Sequence, residues 1–175
     1  LNTNDYVLFL ARIVPEKGLH YLLEAYLRIK TDKKLVIAGG ESHSKDYMEQ
    51  IKVMAARDKR VIMTGFVEGT GLEELFSNCI AYILPSDIEG MPISLLEAMS
   101  YGRKCLVSDI EENVEVIGER GYYFQKSNID SLAKELMNIL EHSQEMEEEN
   151  SLEQYNMSRF KWDTVAKSVL DTYCL

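Results

Sequence analysis

The chain has 175 residues, 46% hydrophobic and 27% charged, with 19 basic and 29 acidic side chains and a formal net charge of −10. That length can bury one substantial core, and the composition is that of an ordinary soluble globular protein. The acidic balance excludes a broad surface for nucleic acid or anionic lipid, which would need clustered Lys and Arg, but leaves room for a local basic pair.

Tyr6 to Leu10 is a continuous apolar run of strand length, and the loop ARIVPEKG follows it. Leu19 to Ile29 then repeats apolar residues at helical spacing. Leu35 to Ala38 reads as a second strand ending in Gly39–Gly40, and Tyr47 to Met54 as a helix with Tyr47, Ile51 and Met54 on one face. A short third strand, Val61 to Met63, closes at Thr64–Gly65. Leu72 to Phe76 is helical, and Ile80 to Leu84 is a fourth strand stopped by Pro85 and Ser86. Past an acidic loop with Asp87 and Glu89, the turn Gly90-Met91-Pro92 feeds a helix starting at Ile93 or Ser94. A strand at Cys105–Val107, a helical piece at Val114–Ile117 and a strand at Tyr122–Phe124 follow. The last helix of this series, capped by Asp130 or Ser131, buries Leu132, Leu136, Ile139 and Leu140.

Strands that are solid apolar runs, alternating with amphipathic helices, describe an α/β fold: a doubly wound, Rossmann-like parallel sheet of about six strands. Its strand order would be 3-2-1-4-5-6, with ligands at the reversal outside the C-terminal ends of strands 1 and 4. The loops after those two strands, ARIVPEKG and PSDIEGMP, would then face one crevice. A strand emptying through a glycine turn into a helix N-terminus leaves unpaired N–H groups and partial positive charge, which suits a phosphate. Arg12 and Lys17 on the first loop could clamp a diphosphate. Glu89 and Glu97 bracket the helix start and could accept from hydroxyls at either end of such a ligand. A solvated loop, a turn-forming carboxylate and a dipole-stabilising glutamate would look the same. Gly39 is a candidate for close backbone approach.

Beyond residue 140 the chain turns acidic, with Glu145 and Glu147 to Glu149 in one cluster, a solvated stretch in its plainest reading. The domain is expected to span 1–160. A final helix, 161–175, carries Trp162, Val165, Val169, Leu170 and Tyr173 and must pack on this domain or on a missing one. Cys79, Cys105 and Cys174 are expected as free thiols in a reducing compartment. His20, His43 and His142 lack the spacing of a metal set. No signal peptide and no apolar run of membrane length is visible, so a cytoplasmic location is expected. The chain opens on Leu1, just ahead of a strand, and is expected to be a piece of something longer.

LARIVPEKGLHYLLEAY, LVIAGG, MTGFV, ILPSDIEGMPISLLEAMSYG and KCLVSD, in that order, resemble the C-terminal half of family 4 glycosyltransferases of the GT-B fold. The resemblance implies the nucleotide-sugar donor domain of a retaining, metal-independent hexosyltransferase, facing an N-terminal acceptor domain absent here. It needs no cofactor; the substrate implied is a nucleotide diphosphate sugar, a UDP-sugar first. A polysaccharide or glycolipid acceptor is implied, with possible peripheral contact of the full-length protein at the inner face of the membrane. Carried over by position, Arg12 and Lys17 match the basic pair on the diphosphate, and Glu89 matches the glutamate that holds the donor sugar. Gly90, Met91 and the backbone N–H groups of Ile93 and Ser94 match the phosphate-receiving turn, and Glu97 the ribose acceptor. Gly65, Phe66 and Val67 match the loop that meets the base.

Two positions depart from the pattern. Ala11 stands where glycine commonly precedes the arginine, and Pro92 replaces the second glycine of E-G-x-G, so an N–H is lost there. Two other readings stay open: a GT-B nucleotide-sugar epimerase, and a non-catalytic Rossmann-type interaction module.

Overall fold

The structure, a computed structural model, describes residues 1–40, 44–142, 155 and 157–173. In chain order its elements are β1 (Tyr6–Leu10), α1 (Leu19–Arg28), β2 (Lys34–Ala38), α2 (Lys45–Ala55), β3 (Val61–Gly65), α3 (Thr70–Asn78) and β4 (Ala81–Leu84). Then come α4 (Ile93–Ser100), β5 (Lys104–Ser108), α5 (Glu111–Ile117), β6 (Tyr122–Phe124), α6 (Ile129–Glu141) and α7 (Trp162–Tyr173). The strands form one six-stranded sheet in the order β3-β2-β1-β4-β5-β6, every neighbouring pair parallel. This is the expected doubly wound α/β architecture.

Strand alternation divides the core in two. Val7 and Phe9 of β1 point to the face covered by α1, α2 and α6, where they meet Leu22, Tyr26, Ile51, Leu132 and Leu136. Tyr6 and Leu8 point to the other face, against Phe76, Leu95, Ala98, Met99 and Ile117 of α3, α4 and α5. Burial on both faces is why these strands are unbroken apolar runs. Cys79 and Cys105 are buried and free. Burial pushes the Cys79 thiol up to about 12, far from the thiolate a reactive cysteine needs.

Helix α2 buries Met48, Ile51 and Ala55, and the expected face is present, with Tyr47 and Met54 partly buried against the same core as Ile51. The Tyr47 hydroxyl meets His20 Nδ1 at 2.8 Å. One local detail differs from expectation. The cap of α6 is Asn128, whose Oδ1 accepts from the Ser131 N–H at 3.0 Å. Neither Asp130 nor Ser131 holds that position, because the helix begins earlier. His43, Cys174, Asn156 and the acidic cluster lie outside the described residues.

Strand order reverses between β1 and β4, and the loops leaving them are fastened backbone to backbone. The Asp87 N–H donates to the Glu16 carbonyl at 2.9 Å. Gly18, in the left-handed region at φ +65°, lies so close to Pro85 that a Cβ would sit 2.0 Å from its carbonyl oxygen. Only glycine satisfies both demands. Helix α7 contrasts with all this: it buries no residue, and Trp162 and Tyr173 are each 85% exposed.

Gly18→Ala combines left-handed strain with a backbone clash, so it should destabilise the chain by about 2–5 kcal/mol. A urea unfolding midpoint equal to that of the unmodified chain would contradict this packing.

Candidate functional site

The site is assembled at the C-terminal edge of the sheet. From the loop after β1, a 3-10 turn over Pro15–Lys17 delivers Lys17, with Pro15 at its first position. From the loop after β4 comes Glu89. The Lys17 Nζ lies 2.6 Å from Glu89 Oε1, and the two side chains are only 15% and 5% exposed. The Ser86 hydroxyl donates to the same oxygen at 2.7 Å. An acid and a base from loops 72 residues apart are therefore one part-buried, charge-assisted pair. Removing one partner would strand the other charge in a partly desolvated place.

Asp87 fastens the same loop sideways. Its carboxylate accepts from the Tyr21 hydroxyl at 3.2 Å and from the Ser127 hydroxyl at 2.7 Å. On the other side, the Tyr82 hydroxyl contacts Ser94 Oγ at 2.7 Å and donates to the Leu10 carbonyl at 3.2 Å. This single phenol ties the end of β1 to the first turn of α4. Arg12 therefore leaves the sheet at the edge where α4 begins, as the shared-crevice reading requires.

Helix α4 starts at Ile93 behind Pro92, and no side chain caps it. Its first amides and its dipole are left for solvent or a ligand. Gly90, Met91 and Ile93 are exposed around this turn, while Ser94 is half-buried. Glu97, one turn further along, is also half-buried, and desolvation raises its pKa.

A second, smaller hollow of about 190 Å³ opens beside the first loop, lined by Ala11, Arg12, Gly39, Gly40, Phe66 and Val67, among others. It is below the size of a whole drug-like ligand site, so it suits one ring of a longer molecule. Gly65 shapes its rim at φ +74°, and its carbonyl accepts from the Gly39 N–H at 2.9 Å. A Cβ on Gly39 would lie 2.1 Å from the Ala11 carbonyl. Glycine at 39 therefore admits the backbone of residue 11, whatever its side chain. Arg12 is exposed and makes no ion pair among the described residues. Larger hollows, about 630 and 640 Å³, lie under Tyr155 and beside Leu1 and contain none of these residues.

The twelve candidate residues thus fall into two adjoining groups: Lys17, Glu89, Gly90, Met91, Ile93, Ser94 and Glu97 around the start of α4, and Arg12, Gly39, Gly65, Phe66 and Val67 around the small hollow. The sequence reading missed Ser86 and Tyr82 as parts of the site. Ser86 is fully buried two residues past the end of β4, and nothing in the sequence marks it.

Fold and site together define a doubly wound domain with an ion pair and an uncapped helix start at its switch point. The family model for glycosyl transferases group 1 matches residues 1–159, and the chain belongs to that family. An uncharacterized glycosyltransferase of Methanocaldococcus jannaschii is 30% identical over 172 residues, spanning 95% of this chain and 44% of the relative. The O-antigen chain mannosyltransferase B of Escherichia coli is 22% identical over 174 residues, spanning 97% and 46%. Among solved structures, Anabaena HepE, crystallised with UDP and glucose, superposes with a TM-score of 0.83 at 19% identity, over 98% of this chain and 48% of that one. The chain spans about half the length of the curated relatives it matches.

Because Glu97 is harder to ionise in the fold than in the unfolded chain, its charge costs stability above its raised pKa, and that cost vanishes below the ordinary carboxylate range. Glu97→Gln should therefore unfold at a slightly higher temperature than the native chain at pH 7 and at the same temperature at pH 4. A lower midpoint at pH 7 would show that Glu97 is held by a favourable partner instead.

Proposed function

We propose that this chain is the donor-binding domain of a retaining glycosyltransferase, which moves a sugar from a nucleotide diphosphate to a polysaccharide or glycolipid acceptor. The observation that carries this reading is the part-buried Lys17–Glu89 pair set before the uncapped start of α4. It offers a cation and free amides to a diphosphate and a carboxylate to sugar hydroxyls within one crevice.

In this reading the diphosphate lies at the N-terminus of α4 and takes charge-assisted hydrogen bonds from Lys17 and Arg12. Breaking the bond between the anomeric carbon and the diphosphate oxygen leaves negative charge on the phosphates. The fixed cations and the helix dipole stabilise that charge as it develops, and no metal is needed for this part of the work. Glu89 holds hydroxyls of the sugar, Glu97 accepts from the ribose, and the base lies in the hollow between Gly39 and the Gly65-Phe66-Val67 loop. UDP is the first candidate nucleotide, since HepE was crystallised with it. The acceptor class follows the O-antigen relative. The absent half of the protein would supply the acceptor site and cover the apolar side of α7, so this chain alone should bind donor and transfer nothing.

Titrating UDP, GDP and ADP into the chain by calorimetry tests this. One nucleotide should bind preferentially, and Lys17→Ala should weaken it about tenfold or more, the value of a hydrogen bond to a charged group. Equal affinities for the mutant and the native chain would remove the clamp. The affinity should also fall as pH drops through the raised pKa of Glu97, and Glu97→Gln should remove that part of the dependence, leaving only the titration of the phosphate itself.

A further inference from the structure

Glu89 accepts two hydrogen bonds on one oxygen, and the two donors differ in kind. Lys17 sits on a loop and, on the donor-site reading, has a second obligation to the diphosphate. Ser86 does not: it is fully buried, and its hydroxyl has Glu89 Oε1 as its acceptor at 2.7 Å. Behind Ser86 stands a column of buried polar groups. The Ser108 hydroxyl, at the end of β5, donates to the Ser86 carbonyl at 2.5 Å. Asn113 Nδ2, from α5, donates to Ser108 Oγ at 3.1 Å and to the Ser108 carbonyl at 3.2 Å. Ser108 and Asn113 are themselves fully buried.

The column has a direction. Asn113 gives its N–H groups to Ser108, which obliges the Ser108 hydroxyl to donate onward to Ser86; the Ser86 hydroxyl then donates to Glu89. Turning the Asn113 amide over would set its oxygen against the Ser108 carbonyl. In the arrangement present, Asn113 Oδ1 is buried with no hydrogen-bond partner among the described residues. Such an orphan is unfavourable and rare in folded proteins, and here it is tolerated with the donors all pointing toward the crevice.

We infer that Ser86 is a positioning residue that holds Glu89 in place for the donor sugar while Lys17 turns to the diphosphate, with Ser108 and Asn113 fixing Ser86 from behind. The inference rests on the donor-site reading. Without Ser86, Glu89 would keep only Lys17, and sugar and diphosphate would compete for one ammonium. With it, the carboxylate keeps a neutral anchor that no ligand phosphate can claim.

The test separates the sugar from the nucleotide. UDP, UDP-glucose, UDP-galactose and UDP-N-acetylglucosamine, with GDP and GDP-mannose alongside, are titrated into the chain. The quantity read is the ratio of affinities with and without the sugar. Ser86→Ala should reduce that ratio about tenfold while leaving the affinity for the bare nucleotide within about twofold. In a Glu89→Ala background, which removes the acceptor, Ser86→Ala should change nothing further, because the serine acts only through that carboxylate. Ser108→Ala, which leaves the loop itself intact, should lower the ratio in the same direction by a smaller factor and stands in if Ser86→Ala does not fold. The assignment is overturned if the native chain gains nothing from any sugar, if neither variant changes the ratio, or if Ser86→Ala weakens nucleotide and nucleotide-sugar alike. Failure of the donor-site reading itself looks different: Lys17→Ala then binds the bare nucleotide as well as the native chain does.

Discussion

Everything at the crevice depends on two backbones approaching more closely than side chains permit. Gly18 admits the Pro85 carbonyl, and Gly39 admits the Ala11 carbonyl, each at a distance that would put a Cβ inside the oxygen. The first contact joins the loops after β1 and β4, which brings Lys17 to Glu89. The second joins the ends of β1 and β2, which sets Arg12 beside the hollow. Parallel topology places both loops at the same edge, but topology alone would leave them some ångströms apart and independently mobile. The absent side chains convert neighbouring loops into one rigid rim.

On the proposed reading, a diphosphate would bind to a chain of net charge −10. Exposed carboxylates further from the crevice than a Debye length, about 8 Å at physiological salt, would be largely screened. Lys17 acts at contact distance in a partly desolvated setting, where screening is weak. Few cations therefore suffice, provided they are local. Within the Lys17–Glu89 pair each charge neutralises the other, and the Ser86 hydroxyl takes part of the remaining demand of the carboxylate. Glu97 lacks such a partner, so its ionisation is opposed by desolvation. The two glutamates bracket one helix start but differ in what restrains them.

Most of the fold was legible because parallel sheets covered on both faces write themselves as apolar runs. Tyr6–Leu10 and Tyr122–Phe124 were readable to the residue, and the strand order followed from the topology such runs imply. At α6 the cap was misplaced by a local choice: Asn128, one residue ahead of the helix, reaches the Ser131 amide with its side chain. At the site, loop composition was enough to nominate Arg12, Lys17, Glu89 and Glu97. Composition could not show that Lys17 and Glu89 are already paired, nor that Ser86, Ser108 and Asn113 line up behind them. Those residues lie on different elements, and serine and asparagine are too common to stand out in a loop.

Among the described residues, two groups of exposed large hydrophobics bear on what the crevice faces. Around the rim, Phe66, Ile88, Met91 and Ile93 are all more than half exposed, interleaved with the charged and glycine positions of the site. Far along the chain, α7 carries Trp162, Val169, Leu170 and Tyr173 on a helix that buries nothing. Isolated exposed hydrophobics need no explanation, but groups of large ones do. A free-standing nucleotide binder has no use for four apolar side chains around an ionic crevice, because water would reach the reacting bond from that side. A second domain closing on the rim would bury them, exclude that water and strengthen the Lys17 and Arg12 contacts by lowering the local dielectric. On the proposed reading, with more than half of the Methanocaldococcus and Escherichia coli relatives lying beyond the matched stretch, this apolar rim is where an opposing half would close.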